Sequence, residues 1–288
     1  MKASIIMTGA LLLATLAAGC DNIAEDDRYI TVEKPVVENP RTLLIMEFTG
    51  NNCKNCPNGA AMVDQIKEDD GSGRVISVGL HPYGDINTNP VFSKYTMPDL
   101  QDLRSQAATA LYDYYKPSGF PTAIFNGLRS SMSGSIPEWM QKASEALAVS
   151  AAMSITASTT YDEASRKLDV DYSIEFGNNV GRKLNVTVWL VESGIMGTQT
   201  MPDGKLNLDY EHNHVLRASL NGDWGDSIGD DFHVGEIRNG NASMTLDEKW
   251  NASNCDVVVF VYADDDKEVE QALQIPAIAD ETTSDDEI

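Results

Sequence analysis

Cys53-Lys54-Asn55-Cys56 sits between a strand-like apolar run, Leu43–Phe48, and a helix-like segment over 60–67. That order fixes the local fold, because a short Cys-x-x-Cys loop joining a strand to a helix presents both sulfurs at the mouth of a βα unit. Far downstream stands Gly119-Phe120-Pro121-Thr122, leading into the apolar residues Ala123, Ile124 and Phe125.

Residues 1–19 carry a single charge, Lys2, ahead of the apolar stretch 5–18. The stretch is too short for a comfortable membrane span and reads as a secretory signal. Its end, Leu16-Ala17-Ala18-Gly19-Cys20, resembles the bacterial lipobox. That resemblance implies that Cys20 is the first mature residue and carries an acyl anchor to the lipid membrane. Residues 20–40 are acidic and contain Pro35 and Pro40. They read as a spacer with a reach of roughly 25 Å if flexible, with one short strand candidate at 29–32. Residues 280–288 read as a solvated acidic tail.

The formal charge is −23, and removal of Lys2 makes it one unit more negative. Such acidity argues against nucleic acid as a partner and leaves membrane attachment to the lipid. With 42% hydrophobic residues the chain can bury ordinary cores. With only four cysteines, one of them Cys20, disulfides are not its general scaffold.

Between residues 41 and 150, short apolar strands alternate with helical stretches, which implies an α/β layer structure. A segment at 82–116 reads as an insertion carrying two helical pieces. From 151 to 279 the period becomes two: Leu168, Val170, Tyr172, Ile174 and Phe176, then Leu184, Val186, Val188 and Leu190, then Val257, Val259 and Val261. Half-buried strands joined by polar turns predict an all-β sandwich.

A thiol at a helix start is favoured as thiolate by unpaired N–H groups and the helix dipole, so Cys53 is the expected nucleophile and Cys56 the resolving thiol. Lys54 adds a nearby cation that solvent screens. The run Leu44 to Phe48 before the pair, and Pro121 to Gly127 after it, resemble the thioredoxin superfamily. The resemblance implies a thioredoxin-like fold at 41–150, with Glu47 as the buried acid of a proton relay. It also implies that Pro121 is a cis-proline facing the cysteines and that Phe120 offers its backbone to an extended client peptide. Asn52 replaces the aromatic usual before the first cysteine, and Pro57 follows the pair instead of lying within it, so the docking rim is weak.

A closer resemblance spans nearly the whole mature chain. Phe48-Thr49-Gly50, Cys53 to Pro57, Val78 to His81, Gly119 to Thr122 and His212-Asn213-His214-Val215-Leu216-Arg217 are similar to the twenty-eight-kilodalton outer-membrane lipoprotein family of the Bacteroides group. This implies a thioredoxin-like domain followed by an immunoglobulin- or fibronectin-like β-sandwich, at the outer membrane, facing the periplasm or outward.

No metal or cofactor is called for. His212 and His214 lack a third ligand in the sequence, the aspartates between 223 and 231 are not spaced as an EF-hand, and Cys255 reads as an inert buried thiol. Two function classes stay open. One is a thiol-disulfide oxidoreductase acting on protein disulfides with an unidentified redox partner. The other is a binding or adhesion lipoprotein in which the pair is a structural disulfide.

Substituting Cys20→Ser is expected to abolish incorporation of labelled palmitate into the expressed chain; unchanged labelling removes the anchor.

Overall fold

The computed structural model describes residues 39–89 and 101–279. The signal, Cys20, most of the spacer, the strand candidate at 29–32 and the tail all lie outside the described residues. Strands are β1 Leu43–Phe48, β2 Val75–Leu80, β3 Thr122–Phe125, β4 Met153–Asp162, β5 Lys167–Phe176, β6 Leu184–Glu192, β7 Ile195–Thr200, β8 Leu206–His212, β9 Val215–Ser219, β10 Asp226–Gly229, β11 Ile237–Thr245, β12 Cys255–Ala263 and β13 Val269–Pro276. Helices are α1 Cys56–Asp70, α2 Gln106–Tyr115 and α3 Ile136–Leu147.

Strands from both halves of the chain join one sheet in the order β13-β12-β6-β9-β2-β1-β3, with β10 pairing β6. The junction is a narrow parallel contact at Gly79 and Val215, closed by Gly79 N–H donating to His214 O at 2.8 Å. The change of periodicity near residue 150 is therefore crossed by a shared backbone ladder. The described residues lie within one compact unit.

Three apolar cores follow from this sheet. On one face, Leu44, Met46 and Phe48 of β1, Ile76, Val78 and Leu80 of β2, and Trp189, Val258 and Phe260 pack together with Ala107, Ala108 and Leu111 of α2. On the opposite face at the β1 end, Leu43 and Ile45 meet Val63 and Ile66 of α1 and Trp139 and Ala143 of α3. At the other end, Val186, Val188, Val257, Val259 and Val261 pack against Leu168, Val170 and Ile174 of a separate sheet ordered β11-β5-β4.

The expectation of half-buried strands holds for β5, which alternates buried and open residues, and fails for β6 and β12. β6 is buried at every residue, and β12 at all but Asp256. Their even and odd positions face two different cores, so both faces are covered, as in an interior strand. The 82–116 segment is described at 82–89 and 101–116. Among the described residues one helix forms there, α2, begun by Ser105, whose hydroxyl accepts from Ala108 N–H.

Buried polar ties brace β6 against β9 and reach the first half of the chain at Asp102. Arg217 Nε on β9 meets Glu192 Oε2 on β6 at 2.7 Å with both side chains buried, and Arg217 Nη1 donates to Asp102 O at 2.8 Å. Glu192 Oε1 accepts from Asn251 N–H at 2.8 Å. A buried pair of this kind is costly to break from one side, because the surviving charge loses its partner. Arg217→Ala is expected to destabilise the fold by about 3–5 kcal/mol in urea unfolding, and the apolar double replacement Glu192→Leu with Arg217→Met by far less.

Candidate functional site

β1 is flanked on both sides, with Glu47 paired to Gly79 of β2 and Ala123 of β3. Alternation along β1 turns Glu47 toward α1, on the same side as Leu43 and Ile45. The carboxyl is 7% exposed, and Oε1 has no hydrogen-bond partner among the described residues. Burial, and then the charge of Asp64, push its pKa up to about 8.

The chain leaves β1 through 49–55 and enters α1 at Cys56, with Asn55 as N-cap and Pro57 in the first turn. The helix thus begins at the second cysteine, correcting the expectation that Cys53 starts it. Cys53, Lys54 and Asn55 form a turn ahead of the helix, and Cys56 N–H donates to Cys53 O at 3.3 Å. Cys53 and Cys56 form a disulfide with Cα atoms 5.5 Å apart. They are only 4% and 2% exposed, whereas Lys54 between them is exposed.

The Phe120–Pro121 bond is cis. Pro121 reaches the same helical turn as Glu47: a Cβ placed on Gly59 would lie 2.5 Å from Glu47 Oε1 and 3.1 Å from Pro121 Cβ. Glycine at 59 is what lets α1 approach the acid and the proline so closely. Phe120 is half-buried, its ring stacked on Phe48 at 6.0 Å and edge-on to Tyr112 at 6.2 Å.

The β7–β8 hairpin closes over the cysteine loop. Thr200 N–H donates to Asn51 O at 2.8 Å, and Gln199 Nε2 donates to Cys53 O at 2.9 Å. From the other side, Asn52 N–H donates to Asn87 O at 2.9 Å. Behind the loop, a cavity of about 290 Å³ lies among Glu47, Cys56, Asp64, Ser77, His81 and Tyr210, and the hairpin's His212 also lines it.

Three of the chain's four histidines line this cavity. His81 is 3% exposed, and burial, then His212 and Arg217, pull its pKa down to about 3. Burial likewise lowers His212 to about 4, its Nε2–H donating to Thr198 O at 3.3 Å. His214 is lowered to about 4 by burial and by Lys67, whose Nζ donates to its Nε2 at 2.9 Å. All three are neutral at pH 7. His212 ends β8 and His214 follows in the turn. Among the described residues no group of three or more His, Cys, Asp or Glu is arranged to hold a metal.

The sequence model of the family described as outer membrane protein Omp28 matches residues 108–279, more than half of the chain. The chain belongs to the Omp28 outer membrane protein family. Membership places it at the outer membrane of a bacterial envelope, and it does not rest on the cysteine pair, which lies ahead of the matched span.

Among solved structures, this Omp28-family chain is similar to HBP35 of Porphyromonas gingivalis, at 18% identity and TM-score 0.64, over 88% of this chain and 80% of that one. That likeness concerns the fold. A domain of the outer membrane lipoprotein Omp28 from Porphyromonas gingivalis aligns at 24% identity and TM-score 0.32, over 43% of this chain and 87% of that one. No curated protein matches the chain.

The residues anticipated from sequence divide in two. Glu47, Cys56 and Pro121 converge on the first turns of α1, and Cys53 joins them through the disulfide; Lys54 stays at the surface. Gln199, Thr200 and Tyr210 were not anticipated, since hairpin and loop are 146 residues apart. Ser77, Gly79 and His81 carried a signal: they are the α1-facing positions of an otherwise apolar strand end, and small or polar residues there mark a gap in the core. Cys255, at the start of β12, is free and buried, and burial followed by Glu192 raises its pKa to about 12.

Because Glu47 holds its proton more tightly in the fold than in the unfolded chain, folding takes up a proton between pH 4.5 and about 8. Its contribution is complete below pH 4.5 and falls as pH rises through 8. The gap, at about 1.4 kcal/mol per pH unit, sets a ceiling of about 5 kcal/mol. Glu47→Gln is expected to match the parent in urea unfolding near pH 4.5 and to exceed it in stability by a few kcal/mol at about pH 9.

Proposed function

We propose that this Omp28-family chain is a non-catalytic binding lipoprotein of the outer membrane, tethered through Cys20, in which the Cys53–Cys56 disulfide is structural. The observation that carries this reading is the closure of the pair. Both cysteines are almost fully buried, and Gln199 and Thr200 hydrogen-bond to the loop that carries them. Thiol–disulfide exchange needs a sulfur that an attacking thiolate can reach, and a protein client is far larger than the gaps around this loop. The disulfide instead fixes the turn that opens α1, so that loop, helix and hairpin share one rigid arrangement.

A second reading, exchange with protein disulfides, is supported by the convergence of Glu47 and Pro121 on the helical turn after Cys56, as the thioredoxin resemblance implies. In that reading Cys53 attacks, Cys56 resolves, Glu47 exchanges the proton, and Phe120 and Lys54 border the client. It requires the hairpin to leave the loop.

Under native conditions, dithiothreitol is expected to reduce the pair slowly, with alkylation of Cys53 and Cys56 appearing only once urea opens the fold. Gln199→Ala should speed native reduction several-fold by loosening the hairpin. Rapid turnover of a small disulfide substrate by the parent, abolished by Cys53→Ser, would overturn the structural reading in favour of exchange.

A further inference from the structure

The cavity behind the cysteine loop has an unusual chemical balance. Glu47 Oε1, Ser77 Oγ and His81 Nδ1 are buried and have no hydrogen-bond partner among the described residues. All three residues line the cavity. Buried polar atoms in folded proteins are nearly always satisfied, so three around one space point to something that belongs there.

The groups facing Glu47 come from every wall. α1 contributes Asp64 and the Cys56 end of the disulfide, β2 and the residue after it contribute Ser77 and His81, and the hairpin and its following turn contribute Tyr210, Glu211, His212 and His214. β3 contributes Ala123 beside Glu47, which does not titrate. Two of these groups are carboxyls, beside Glu47 itself, and three are imidazoles; no lysine or arginine lines the space, Lys67 standing behind the His214 ring. An anionic ligand would enter without a cation lining the space to pair with, which burial penalises heavily. A ligand bearing an ammonium group meets a carboxyl at the floor, acceptors on the walls, a tyrosine ring and two exposed carboxylates at the rim.

We propose that this cavity is a binding site for a small primary amine whose ammonium pairs with Glu47 beneath the disulfide. The proposal deepens the binding reading above and rests on it for its biological sense, while its chemistry depends only on the cavity. About 290 Å³ suits a compact molecule and stands at the small end of ordinary ligand sites.

Proton balance gives the proposal its signature. Glu47 is protonated in the free protein below about pH 8, and an ammonium pairs with the carboxylate, so each amine bound releases one proton from Glu47. The amine itself stays cationic over this range.

The probes are butylamine, butanol and butyrate, which share a chain and differ in the head group. Titrated into the full protein and read by the histidine side-chain nitrogen signals, butylamine is expected to shift His81. Its affinity should rise about tenfold per pH unit up to about pH 8 and level off above it. Calorimetry in buffers of different ionisation enthalpy should count one proton released. Glu47→Gln should weaken butylamine about tenfold or more and flatten the pH profile. Asp64→Asn, at an exposed position, should move the pH midpoint downward and weaken binding, which tests the proposal even if the Glu47→Gln variant folds poorly. Equal binding of butanol, preference for butyrate, uptake of zinc without an amine response, or no perturbation by any probe would each overturn it, the last leaving a water-filled space. A failed amine titration beside a reduction-resistant disulfide would sink only this proposal. Rapid exchange at the disulfide would sink the structural-disulfide reading without touching the titration.

Discussion

Two strands, β6 and β12, hold the architecture together because each is wetted on neither face. Val186, Val188, Val257, Val259 and Val261 point into the core shared with the β11-β5-β4 sheet, while Trp189, Val258 and Phe260 point into the core under α2. The two cores therefore cannot part without exposing the backs of the same strands. At roughly 25 cal/mol per Å² of apolar surface, exposing even one face of a nine-residue Val-rich strand outweighs the weak single bridge between Gly79 and Val215. The junction between halves is narrow in strand pairing and wide in buried surface.

That arrangement dictates where the cavity lies. The sheet face opposite α2 is covered at one end by α1 and α3 and at the other by the three-stranded sheet. Between these covers, β2 and the residue after it present Ser77, Gly79 and His81, too small or too polar to fill the space, and the β7–β8 hairpin folds across it. Gly79 serves twice. Its lack of a side chain widens the cavity, and its N–H makes the bond to His214 O that joins the halves. A Cβ at 79 would already touch the Thr49 methyl at 3.5 Å and His214 O at 3.6 Å, so a longer side chain would have to take its room from the cavity.

Local pattern carried the elements well and their assembly poorly. The βα order around the cysteines and the alternating residues of β5 are short-range signals, and each matches the structure; the cis bond before Pro121 came from the thioredoxin resemblance and is also found. The double burial of β6 and β12 was hidden by Asn185, Thr187 and Tyr262, polar residues that break an apolar run yet sit buried in the structure. Periodicity reports which positions differ, not what finally covers them. The site shows the same division. Cys53 and Cys56 follow from spacing, and Glu47 and Pro121 from the thioredoxin resemblance, whereas the hairpin's cover of the loop is a contact between Cys53 and Gln199 that no local pattern encodes. The three histidines were legible as residues and illegible as a group, because their meeting depends on how β2 and β9 join.

Charge acts on this molecule at two scales. The chain as a whole carries −23, a field that draws small cations toward it and repels anions. Salt limits that field, since at physiological ionic strength it decays over about 8 Å. Inside the cavity the opposite condition holds: desolvation keeps Glu47 protonated and His81, His212 and His214 neutral at pH 7, so the interior is an uncharged space within an acidic shell. Salt reaches such buried groups weakly, and their protonation is governed by burial and by close neighbours such as Asp64. A cation that enters therefore exchanges with a proton instead of adding to a standing charge, so the net charge of the buried site is unchanged by occupancy. An anion entering the same space would add charge where the medium solvates it least. Selection by sign is thus built into the placement of one carboxyl on a buried strand, with the acidic surface aiding delivery and the desolvated interior setting the choice.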